Sequence, residues 1–65
     1  MSTTQVEHDR THELVVRWRR HELRRAGYDP KQASQLAPRF DVDLHRAVDL
    51  VRQGCAPTLA MRILL

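Results

Sequence analysis

Apolar residues recur at helical spacing in four segments of the chain, and the alternation a strand requires is nowhere sustained. In the first, Val15, Val16, Leu23 and Ala26 share one broad arc of a helix, which Leu14 and Trp18 extend at its edge. Arg10, Arg17, Arg20 and Arg24 fall on the opposite side with Glu13 among them, while Arg19 and Glu22 interrupt the apolar face. The second segment starts at Pro30 and spaces Ala33, Leu36, Ala37 and Phe40 at i, i+3, i+4 and i+7. It ends near Ala37, because Pro38 pushes the residue before it out of the helical region. In the third, Leu44, Ala47, Val48 and Val51 repeat that spacing behind two candidate caps, Asp41 and Asp43. The fourth runs from Pro57 to Leu65, with Leu59, Ala60, Ile63 and Leu64 on one side and Met61 on the other. The pattern predicts an all-α domain, a small bundle of four short helices of which the N-terminal one is the longest.

Two corners join these helices. Leu23-Arg24-Arg25-Ala26-Gly27-Tyr28-Asp29-Pro30 is matched 27 residues later by Leu50-Val51-Arg52-Gln53-Gly54-Cys55-Ala56-Pro57. A glycine just past a helix can take the left-handed conformation that returns two N–H groups to the open carbonyls, usually with an apolar contact across the turn. Both copies supply that pair, Tyr28 on Leu23 and Cys55 on Leu50, and each then places a proline where a new helix begins. Asp29 is a good cap and Ala56 a poor one, so the last helix is expected to fray more easily. The expected core is Leu14, Val15, Trp18, Leu23, Tyr28, Ala33, Leu36, Phe40, Leu44, Ala47, Val48, Val51, Leu59 and Ile63.

Length and charge narrow the picture. Residues 1–65 form one small domain, and a chain this short buries only about 60% of its unfolded surface. A partner subunit is one usual supplement to so small a core, which makes a homodimer plausible, the more so as the chain ends in Leu64-Leu65. Thr4 to Glu7 has capping-box spacing, yet the polar run before Leu14 equally suits disorder or fraying over residues 1–10. One cysteine excludes an intrachain disulfide, and with no signal-like start a cytoplasmic location is expected. No apolar run approaches the roughly 20 residues that cross a bilayer.

The net charge is +3, and Arg17 to Arg25 holds five arginines against the single Glu22. An electrostatic partner would therefore meet the first helix. Arg forks pair with carboxylates and with phosphates, so Arg17, Arg20 and Arg24 are candidates for an acidic protein. The same residues with Arg10 and Trp18 are candidates for nucleic acid, since an aromatic among arginines can stack on a base. A helix-turn-helix over Leu36 to Arg52 is a second route to DNA, with a recognition helix exposing Asp43, His45, Arg46, Asp49 and Arg52. Its carboxylates oppose phosphate contact, and Pro38 falls inside its first helix. His8 and His12 stand i,i+4, but further metal ligands are missing nearby, so no metal and no cofactor is expected. Cys55 has no base signalled beside it and the chain has no Gly-rich phosphate loop, so no enzymatic activity is expected.

From Leu23 to Val51 the spacing resembles the ubiquitin-associated (UBA) type of three-helix domain. Ala26-Gly27-Tyr28 stands at its first loop, Ala33 with Leu36-Ala37 on its second helix, and Asp43-Leu44-His45-Arg46-Ala47-Val48 with Val51 on its third. In that family the first loop and the end of the third helix form an apolar patch that takes a partner protein. The related helical module of translation elongation factor Ts binds a protein too. The resemblance implies a UBA-like arrangement of the last three helices, with the longer first helix packed across them, and a protein-binding surface, for which Tyr28, Val51 and Met61 are the apolar candidates.

Overall fold

A computed structural model describes the backbone from Ser2 to Leu65 and the side chains from Arg10 onward. It is all-helical, with α1 at Ser2–Ala26, α2 at Pro30–Leu36, α3 at Leu44–Arg52 and α4 at Pro57–Leu64. The backbone is helical from Ser2, ahead of the Thr4–Glu7 capping box, whose side chains, like the others before Arg10, lie outside the described residues.

Both corners close as their glycines require. Gly27 has φ +130° and Gly54 φ +101°, values that only glycine adopts without strain. Tyr28 N–H donates to the Leu23 carbonyl at 3.1 Å and Gly27 N–H to Arg24 at 3.2 Å; Cys55 to Leu50 and Gly54 to Val51 repeat the pair at 2.9 and 3.0 Å. Each corner thus satisfies carbonyls that the ending helix would leave open. Asp29 then caps α2, accepting from Gln32 N–H at 2.7 Å while the Gln32 side chain accepts from Asp29 N–H at 3.0 Å. Asp43, not Asp41, caps α3. Ala56 gives α4 no side-chain cap.

The interior is small. Leu23, Tyr28, Ala33, Leu36, Ala37, Val42, Ala47 and Ala60 are buried, and Val16, Ala26, Leu44, Leu50, Val51, Cys55, Met61 and Leu64 pack half-buried around them. Four of the eight buried residues are alanine, so the helices approach closely with little side-chain volume between them. The Tyr28 hydroxyl donates to the Ala47 carbonyl at 2.7 Å inside this core, which settles its polar tip without water.

Six residues of the expected core are exposed instead: Leu14, Val15, Trp18, Phe40, Leu59 and Ile63. Facing explains the first three. The other elements meet one side of α1 from His12, whose ring touches Phe40, through Val16 and Arg19 to Leu23. At about 100° per residue Leu14 and Trp18 point well away from that side and Val15 lies at its edge. The molecule extends 47 Å along one axis against 19 and 18 Å across. In α4, Ala60, Met61 and Leu64 turn inward and Leu59 and Ile63 outward, the reverse of the expected division at Met61. The reason is placement: α4 packs on α3 and α2 and does not reach α1. The first helix therefore lies across two helices and not three. Val48 is only half-buried, whereas Ala37, Val42 and Ala60, left out of the expected core, are inside it.

Candidate functional site

The loop from residues 37 to 43 is held to α1 by one side chain. Arg19 donates through Nε to the Ala37 carbonyl at 2.9 Å, and through one terminal nitrogen to the carbonyls of Arg39 at 3.0 Å and Val42 at 2.8 Å. Its guanidinium also stands 5.1 Å from the Phe40 ring centre, and the His12 ring meets Phe40 edge-on at 5.0 Å. The arginine that interrupts the apolar arc in the sequence is thus the clasp of the fold. Its signal was available: a fork of donors on the inward face of one helix answers the open carbonyls of a proline-broken helix end. Phe40 lies outside the core as one wall of this clasp.

Beside the clasp, α1 presents two different flanks. On one, Arg17, Arg20, His21 and Arg24 line a groove of about 370 Å³ with Pro30 and Ser34 of α2. A second groove of about 390 Å³ continues it past His12, Glu13, Val16 and Pro38, sharing Arg17 and Arg20. None of Arg17, Arg20 and Arg24 forms an ion pair or hydrogen bond with a described residue. The ion pairs among the described residues are Arg25 with Glu22 at 3.6 Å and Arg39 with Asp41 at 2.8 Å, both at the surface. The hydrogen bond from Arg39 holds the Asp41 carboxyl below its ordinary range. On the other flank lie Leu14, Trp18 and Val15, which are 56%, 55% and 39% exposed. Trp18 lines neither groove, so the structure does not bring it together with the unpaired arginines. Arg10 is exposed further up the same helix.

The remaining sequence candidates separate. Tyr28 is buried, and burial pushes its phenol above the usual range, with the Cys55 thiolate charge adding to the rise. It offers no surface to a partner. Val51 is half-buried beneath Gly27, and Met61 is half-buried against the core from α4. Arg46 and Arg52 are exposed on α3, where Arg46 shares a depression of about 430 Å³ with Asp43, His45, Asp49, Leu50 and Gln53. Residues 37–43 separate α2 from α3, more than the three or four residues of a helix-turn-helix corner, and α2 stops before Pro38 instead of containing it.

Among the described residues no three of His, Cys, Asp and Glu gather where they could hold a metal ion, and the side chain of His8 lies outside that set. No described helix is long and apolar enough to cross a membrane. No protein-family model matches the chain, and comparison with curated proteins and with solved structures returns no match.

Proposed function

We propose that the chain is a small, non-enzymatic, cytoplasmic protein-binding module, an adaptor or regulator, that docks another protein along α1. One observation carries this reading: Leu14, Val15 and Trp18 stay exposed together on the side of α1 that the rest of the fold leaves uncovered. Single apolar residues at a surface need no explanation, but a run of them on one uncovered helix side marks an interaction surface. Tryptophan is among the residues that dominate interface energetics.

The partner is a protein with an apolar face in an acidic surround, in preference to a second copy. From Arg10 to Ala26 the helix carries six arginines against Glu13 and Glu22, so two such helices laid together would oppose like charges. The UBA resemblance agrees with a protein-binding role, but its first-loop patch is unsuited to it here because Tyr28 faces inward. A second reading, nucleic-acid contact, draws on the unpaired Arg17, Arg20 and Arg24.

The test is affinity capture from a lysate, with and without nuclease, using the native chain and a Leu14→Ser/Trp18→Ser variant as bait, with light scattering on each bait. A protein retained after nuclease treatment by the native bait and lost by a folded variant supports the reading. Nucleic acid alone, lost on nuclease treatment, transfers it to the arginine flank. A doubled mass for the native bait alone replaces the foreign partner with a second copy.

A further inference from the structure

We infer that the groove between α1 and α2 receives an acidic peptide segment of the docked partner, in extended form. The inference rests on the protein-binding reading above and names the chemistry of its second contact. The two grooves share Arg17 and Arg20 and run together from His12 to Arg24. At about 1.5 Å per helical residue this is a track of roughly 18 Å. That length suits about five or six residues of extended chain at roughly 3.3 Å each.

The fold uses Arg19 as its clasp and pairs Arg25 and Arg39 with carboxylates. It leaves Arg17, Arg20 and Arg24 without partners on one side of the same track, with His21 between them and the Ser34 hydroxyl opposite. Guanidinium forks of this kind match carboxylates two bonds at a time. The lining also discriminates. Glu13 stands in the track and repels any anion, but a peptide can turn a backbone N–H donor toward it, which a phosphodiester backbone does not supply. Val16, Pro30 and Pro38 add apolar contact. The track offers no tryptophan, tyrosine or phenylalanine for a base to stack on, because Trp18 lies outside it.

The experiment titrates the full chain with a labelled hexaglutamate peptide and, separately, a six-nucleotide oligothymidylate, following backbone amide shifts and fluorescence anisotropy. The expected result is saturable peptide binding with shifts centred on Arg17, Arg20, Arg24 and Ser34. Arg20→Gln/Arg24→Gln should weaken it about tenfold, the sum of two exposed charge pairs. Arg46→Gln/Arg52→Gln removes the same charge from α3 and should leave the affinity unchanged, as should Leu14→Ser/Trp18→Ser. Absence of saturation, equal weakening by the two arginine pairs, or tighter binding of the oligothymidylate each overturns the inference. Those results leave the docking reading intact if capture still depends on Leu14 and Trp18. Loss of that dependence with peptide binding retained overturns the docking reading alone.

Discussion

The Tyr28 hydroxyl donates to the carbonyl oxygen of Ala47, 19 positions away, at 2.7 Å. The corner that ends α1 is thereby fastened to the middle of α3, and the tyrosine is an internal strut. Replacing it with phenylalanine removes one buried hydrogen bond and should cost about 1 kcal/mol. The same variant should change the response to alkali. Burial raises the folded phenol above its ordinary 10.0, so the stability linked to it is complete below that value. It is then lost as pH rises through the folded one. Chemical denaturation across that range should fall with pH for the native chain and flatten for Tyr28→Phe. An unchanged slope would assign the alkaline loss to other groups. Cys55→Ser should make the loss smaller and let it level off at lower pH, since the thiolate contributes to the rise.

Gly27 and Gly54 make the same turn in different surroundings. A Cβ on Gly27 would meet Val51 Cγ1 at 3.2 Å, whereas one on Gly54 meets nothing within 4 Å. Both substitutions to valine incur backbone strain of about 1–3 kcal/mol. Only Gly27→Val adds overpacking, about 1–3 kcal/mol more, between α1 and α3. The first corner also joins the helices that enclose Leu23 and Leu36, while the second holds only the terminal α4. Denaturation midpoints should therefore drop much further for Gly27→Val. Equal drops would make α4 as integral to the core as α1.

Arg19→Ala should destabilise by about 1–3 kcal/mol, because the Ala37 and Val42 carbonyls lose their donor and the Arg39 carbonyl keeps only the Val42 N–H, while part of the site can rehydrate. Arg19→Lys should recover little of that, since one ammonium cannot span the carbonyls of Ala37, Arg39 and Val42. Amide hydrogen exchange over residues 39–42 reads the effect locally. Full rescue by lysine would reduce the clasp to a matter of charge.

Leu14→Ser/Trp18→Ser should leave the denaturation midpoint within about 0.5 kcal/mol of the native value, as exposed positions do. Leu23→Ala, on the same helix but buried, should cost about 2–5 kcal/mol. A large loss from the double variant would mean that this side of α1 is covered within the folded chain, and the docking surface would go with it.

The helix ends were legible because their physics is local. A glycine, the carbonyls four or five residues before it, the proline after it and an aspartate at the next start all lie within one short stretch, so Gly27, Asp29, Pro30, Asp43 and Gly54 could be read in place. The arginine stripe was equally plain, since spacing on a single helix puts Arg17, Arg20 and Arg24 together. Periodicity, however, says which residues share an arc and not how much of that arc a neighbour covers. Leu14, Val15 and Trp18 share the arc of Leu23 or its edge, yet α2, α3 and the loop between them cover only the side that carries His12, Val16, Arg19 and Leu23. Met61 exchanged sides with Leu59 and Ile63 because α4 meets α3 and α2 from a direction its own sequence does not encode.

The chain by itself therefore determined four helices, the corners and caps between them and a basic face, all set by hydrogen-bond accounting and side-chain spacing within a few residues. Tertiary structure alone decided that Arg19 faces inward as a clasp, that Tyr28 is a strut closed to partners, and that the side of α1 with Leu14 and Trp18 stands free. Each of those depends on which distant backbone carbonyl or side chain arrives beside the residue, and that is a property of packed lengths and angles between helices.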